Sequence, residues 1–270
     1  MPVRQRYQHD LVEGARVGRF NLGINTTFIV YRIGDTLFDT GPGNQWPEVE
    51  QFVAERPPRQ LLITHHHEDH AANGAAIAAK YQLIPYAPTQ ALDKLRNGYK
   101  TPLLQQLFWG KPKPVETQPF ADDLVLDNGS RIMPVHTPGH ARDLTCFYLP
   151  QQGYLFSGDL YLSKTIRYFR SDENLDELMA SLRKVLALDF DTLLCPHRGP
   201  VTDGHNALAE KLDNLRQLCQ HAQSLQQQGL PLAQIVKRLL GKEDMVGLVT
   251  GYNFCKTNLV RSALAVTDLS

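Results

Sequence analysis

Thr64-His65-His66-His67-Glu68-Asp69-His70 decides how this chain is read. It places four of the ten histidines within six positions, straight after the apolar run Gln60-Leu61-Leu62-Ile63-Thr64. Neutral imidazole is the commonest nitrogen ligand of zinc, and a carboxylate adds an oxygen ligand. A strand end passing into a tight turn can aim His65 and His67, two residues apart, at one point. A helix starting near Asp69 can then present Asp69 and His70 at a second point a few ångströms away. An internal position behind an apolar strand separates this cluster from a solvated tract or a tag.

Three later segments have the same form, a strand ending in a possible ligand. They are Val135-His136-Thr137-Pro138-Gly139-His140, Leu155-Phe156-Ser157-Gly158-Asp159 and Leu193-Leu194-Cys195-Pro196-His197. Singly, a histidine at a strand end is more often a structural hydrogen-bonding residue than a ligand. In order behind the first cluster, the three make a set.

Around these motifs the chain alternates short strands and helices. Strands are expected over 25–33, 36–39, 60–64, 83–86, 144–149, 154–157 and 192–195, and a hairpin over 124–135 turning at Asp127-Asn128-Gly129. Helices are expected over 46–55, 71–81, 89–96 and from Asn174, with Glu177 as its capping-box partner, to Leu188. Residues 100–120, with Pro102, Pro112, Pro114 and Pro119 and the pair Phe108-Trp109, read as a long irregular connection of the kind that forms lids or substrate walls. Beyond about residue 205, Leu208, Leu212, Leu215, Leu218, Ala222 and Leu225 recur at steps of three and four, and only helices are evident.

The composition, 42% hydrophobic and 21% charged, is that of an ordinary globular chain. Lys plus Arg and Asp plus Glu both number 28, so no bulk charge draws the chain toward nucleic acid or an anionic membrane. The four cysteines form no Cys-x-x-Cys pair and suggest reduced thiols. With no secretory apolar segment in 1–20 and no membrane-length apolar run, a cytoplasmic protein is expected.

The ordered motifs resemble the metallo-β-lactamase superfamily, whose core is Thr-His-x-His-x-Asp-His. Thr-Pro-Gly-His, Gly-Asp and a Pro-His near Gly-Pro match as well, and Phe38-Asp39-Thr40-Gly41 resembles the strand-ending Asp-x-Gly. The resemblance covers residues 18 to 205. It implies an α/β (α+β) fold, a four-layered αββα sandwich with its site between sheet edges. A catalytic domain over 1–205 and a helical C-terminal appendage over 206–270 follow. By position, His65, His67 and His140 would hold a first metal and Asp69, His70 and His197 a second, with Asp159 bridging. Two divalent ions are implied, zinc first and manganese or iron as alternatives. His66 and Glu68 occupy variable positions and would point away or support the ligands, as would His136. The implied chemistry is water activation between the metals, with Asp69 orienting the water and passing a proton to the leaving group.

The superfamily spans β-lactamases, glyoxalase II thioesterases, acyl-homoserine lactonases, nucleases and sulfur dioxygenases, and fold alone does not choose among them. His197-Arg198-Gly199-Pro200-Val201 departs from the Gly-His-Glu-Tyr of glyoxalase II. Asp143 and the Pro-His-x-Gly-Pro-Val segment are closer to the lactamase-B-like endoribonuclease branch. The reading preferred here is hydrolysis of a small ester, thioester or lactone. Phosphodiester cleavage of nucleic acid stands second, and a mononuclear-iron sulfur dioxygenase is the other alternative. Tyr161, Lys164 and Arg167 follow Asp159 and are candidates for the pocket mouth. Oligomeric state is not legible.

Overall fold

The structure, a computed structural model, describes residues 4–21 and 26–269, so Asn25, where the first expected strand begins, lies outside the described residues. The chain forms two units. One comprises Met1–His136, Asp143–Leu162 and Asp189–Thr202; the other comprises Thr137–Arg142, Ser163–Leu188 and Asp203–Ser270. A single cut at 205 is therefore not how the chain divides: two stretches before it belong with the C-terminal helices.

The first unit holds two sheets. The larger has seven strands in chain order: β1 (Gln5–His9), β2 (Val12–Val17), β3 (Phe28–Ile33), β4 (Thr36–Phe38), β5 (Gln60–Leu62), β6 (Tyr86–Ala87) and β7 (Gln118–Pro119). β1 to β4 pair antiparallel and β4 to β7 parallel. The second sheet contains β8 (Met133–His136), β9 (Thr145–Leu149), β10 (Tyr154–Phe156), β12 (Thr192–Cys195) and β13 (Gly199–Val201), in the order β13-β12-β10-β9-β8. Between them in sequence and at the end, β11 (Phe169–Arg170) and β14 (Phe254–Cys255) pair with each other in the second unit.

Strand β3 shows why the first unit is layered. All six of its residues are buried, and successive strand side chains point to opposite faces. Phe28 and Val30 join one core with Val49, Phe52 and Val53 of helix α1 (Trp46–Glu55). Ile29, Tyr31 and Ile33 join another with Phe147, Phe156 and Leu194 of the second sheet. Phe38 stacks on Phe156 at 3.8 Å between ring centres. The layers of this unit are thus helix, sheet and sheet. Helices α2 (Glu68–Ala71), α3 (Gly74–Tyr81), α4 (Leu92–Asn97) and α5 (Leu103–Trp109) complete it.

The second unit carries α6 (Leu175–Leu186), α7 (Gly204–Gln227), α8 (Leu232–Leu240), α9 (Met245–Val249) and α10 (Lys256–Ala265). The Asn174 side chain accepts from the amides of Asp176 and Glu177 and so caps α6. That helix buries Leu175, Leu178, Met179, Leu182 and Val185. No helix among the described residues is long and apolar enough to cross a membrane.

Several expectations change. The β1–β2 hairpin was not foreseen, and α5 lies within the stretch read as irregular. The 124–135 hairpin shrinks to one bridge, Val125 with Arg131, because Met133–His136 pairs with β9 instead. The last 65 residues are not purely helical, since they contribute β14.

Candidate metal centre

In the first unit, four strands end where a motif begins. β4 runs into Asp39, β5 into Thr64 and His65, β10 into the turn that carries Asp159, and β12 into His197. β5 is parallel to β4, and β12 to β10, so within each sheet both motif-bearing ends lie at the same edge. Crevices at the carboxyl ends of strands are where α/β sheets gather their ligands.

Asp39 is buried and has φ +57°, the left-handed conformation that Asp and Asn tolerate better than most residues. One of its oxygens accepts the Thr64 amide at 2.7 Å; the other accepts His70 Nδ1–H at 2.8 Å. That bond fixes the orientation of the His70 ring and turns its Nε2 toward Asp159 Oδ1, 3.2 Å away. His197 is held the same way: Nδ1–H donates to the Thr27 carbonyl at 3.0 Å, and Nε2 lies 3.3 Å from Asp159 Oδ1 and 3.5 Å from Asp69 Oδ2. His65 places Nδ1 3.0 Å from Thr64 Oγ1 and turns Nε2 to within 2.9 Å of His67 Nδ1. The ring of Phe28 stands edge-on to both His70 and His197.

Two groups result. Asp69, His70 and His197 offer ligand atoms within 4.8 Å of one another, and so do His65, His67 and Asp159. His140 belongs to the second unit, where its Nδ1 bonds Glu173 Oε1 at 2.5 Å. Glu173 is itself fixed by the Arg170 amide at 2.7 Å.

The electrostatics favour a cation. Burial alone would push His70 down, but the carboxylates of Asp39, Asp159 and Asp69 outweigh it and hold His70 well above the usual histidine range. His197 is raised too: burial opposes the shift, and Asp159 and Asp69 drive it. Two ring nitrogens 2.9 Å apart, as in His65 and His67, need a proton or a metal ion between them. A donor set of imidazole nitrogens and carboxylate oxygens, with His65, His70 and His197 each held by a bond on the ring's far side, fits a borderline divalent metal.

Residues 20–197 match the metallo-beta-lactamase superfamily. The chain belongs to that superfamily. It is 28% identical to a hydroxyacylglutathione hydrolase of Bartonella tribocorum, over 70% of this chain and 64% of the relative. It is also 28% identical to the atrochrysone carboxyl ACP thioesterase of Aspergillus fumigatus, over 66% of this chain and 51% of the relative. The chain thus spans between about half and two thirds of the length of these relatives. Among solved structures, the fold resembles that of a metallo-beta-lactamase family protein from Thermus thermophilus. The TM-score is 0.67 at 18% identity, covering 95% of this chain and 92% of that one.

The residues read as pocket mouth fall in different units. Tyr161 is buried in the first unit, its carbonyl accepting Cys195 Sγ–H. Lys164 and Arg167 belong to the second unit, where Lys164 pairs with Glu210 and Arg167 reaches the Leu240 carbonyl. Sequence reading did not single out Thr64, Thr27 and Glu173 as orienting residues. Asp39 was marked only by its Asp-x-Gly resemblance. His66, assigned to a variable position, turns its Nδ1 onto Asp143, with its ring edge-on to that of His67. Burial would raise the Asp143 carboxyl; the His66 hydrogen bonds reverse that and hold it below the usual range.

Proposed function

We propose that this superfamily member is a metal-dependent hydrolase of carboxylic thioesters, with esters and lactones as related substrates. Its ligands would be His65, His67 and His140 for one ion, Asp69, His70 and His197 for another, and Asp159 for both. The observation that carries this reading is Asp159 Oδ1, 3.2 Å from His70 Nε2 and 3.3 Å from His197 Nε2, while Asp159 also falls in the His65–His67 group. His140 joins on its place in the Thr137-Pro138-Gly139-His140 motif. Divalent ions bound there supply Lewis acidity and lower the pKa of a coordinated water toward neutrality.

The chain's own residues do the rest. Thr64, Asp39, Thr27 and Glu173 keep the imidazoles in one tautomer, so little reorganisation is needed on loading. Asp69, beside His197 and His70, would orient the attacking water, accept its proton and pass it to the departing thiolate. Two named relatives act on thioesters, which favours this substrate class over phosphodiesters, and zero net charge gives a nucleic-acid backbone no general attraction.

The test is metal analysis of protein purified without added metal, followed by a substrate panel. About two zinc or manganese ions per chain are expected, with turnover of acyl thioesters and nitrophenyl esters but not bis-nitrophenyl phosphate. The opposite preference would establish a phosphodiesterase. One iron per chain with oxygen uptake on a persulfide would establish the dioxygenase. An Asp69→Asn variant with full metal content and full turnover would remove Asp69 from the proton path.

A further inference from the structure

His66 lies between two proposed ligands, at a position the superfamily motif leaves open, yet four of its polar groups have partners in this chain. Its amide donates to Asp143 Oδ2 at 2.8 Å. Its Nδ1 lies 2.8 Å from Asp143 Oδ1 and 2.9 Å from Oδ2. Its Nε2 accepts from the Lys94 ammonium at 3.0 Å, and its carbonyl accepts from the Tyr99 hydroxyl. One carboxylate thus grips both backbone and ring of the same residue. Asp143 is itself 1% exposed, so its charge is desolvated and answered by His66. Beside it, the Thr145 amide donates to the Thr64 carbonyl at 3.0 Å, which anchors the start of the same turn. A turn whose central residue is held at its amide, carbonyl and both ring nitrogens has little freedom to let its flanking side chains wander.

We propose that Asp143, acting through His66, is a positioning residue that sets the His65–His67 pair in place before any metal arrives. The inference rests on the metal-dependent reading above. Asp143 does not touch metal or substrate in this assignment. Its role is to make the first metal's two motif histidines converge without a cation to gather them. Lys94 and Tyr99 brace the far side of the same residue. Loss of an outer residue that orients ligands typically lowers metal affinity 10- to 100-fold.

The experiment is a chelator-competition titration of zinc into the full-length protein, with cobalt(II) absorption as a second readout. Wild type, Asp143→Asn, Asp143→Ala and Lys94→Met are compared, and apo-protein circular dichroism reports folding. Asp143→Asn keeps the side chain's shape and a carbonyl acceptor, so it serves where the alanine variant does not fold. The expected result is two sites in wild type and, in Asp143→Asn, one site weakened by about 10- to 100-fold with an altered cobalt band while the other keeps its affinity. Lys94→Met should shift the same site less. Two unchanged sites in a folded Asp143→Asn protein would overturn the positioning role and leave the hydrolase reading standing. Equal weakening of both sites would also overturn it, since a brace specific to His66 predicts one. Wild type that takes up no metal would bring down both.

Discussion

Thr64 Oγ1 lies within 3.1 Å of Asp39, His65 and His70 at once. A hydroxyl has one proton and two lone pairs, so this is close to full use of it. Thr64→Val keeps the shape and removes the partner of His65 Nδ1. The expected outcome is a loss of about 1–3 kcal/mol of stability from the unsatisfied groups and about tenfold weaker metal binding, checked by urea unfolding and metal titration. At this scale the sequence was most legible for the proposed ligands themselves, because their spacing and residue types carry the signal. It was least legible for what holds them. Glu173 lies 33 residues from His140 and belongs to no motif. The His197 anchor is the backbone oxygen of Thr27, which any residue type would supply.

The element scale turns on how strands and helices meet. Gly139 has φ +133°, and a Cβ there would come within 2.5 Å of the Leu178 backbone in α6. Gly139→Ala is expected to cost about 1–3 kcal/mol through backbone strain, seen as a lower urea midpoint with an unchanged slope. At the start of α9, Asp244 accepts from the Tyr168 hydroxyl and the Lys256 ammonium, which bring its carboxyl down to about 2. Its pKa is lower folded than unfolded. Its stabilising contribution is therefore complete above the usual aspartate range and is lost as pH falls toward 2. Between pH 5 and 2, wild type should lose stability more steeply than Asp244→Asn in parallel unfolding titrations; equal slopes would contradict this. Elements with a strong local signal were legible: β3 as a run of β-branched and aromatic residues, α6 by its Asn174 cap with Glu177. The β1 strand, Gln-Arg-Tyr-Gln-His, was not, because an edge strand with mostly exposed residues carries no apolar alternation. Helix α5 was hidden for a related reason: none of its residues is buried, and prolines flank it.

At the scale of the whole molecule, the proposed metal binding would be coupled to folding. Buried carboxylates facing buried imidazoles bind a cation in the folded chain far better than in the unfolded one, so zinc should raise the melting temperature progressively with its concentration. At a hundredfold excess over the dissociation constant the gain is about 2.7 kcal/mol, read by calorimetry with and without a chelator. A melting point indifferent to zinc would count against the assignment of these residues as ligands. The superfamily and its fold class were legible because the motifs occur in one order along the chain. The division into units was not, since it depends on which segments pack together, and composition changes visibly only after residue 205. That division bears on how the protein is made. The chain leaves the first unit at 137, 163 and 203 and returns at 143 and 189. On the ribosome, the second sheet cannot acquire β12 and β13, nor can the centre acquire His197, until α6 has already emerged. A nascent chain arrested at residue 188 should therefore be protease-sensitive and lack the ion proposed for Asp69, His70 and His197, and one released after residue 202 should be less so, a difference that pulse proteolysis of stalled chains would register.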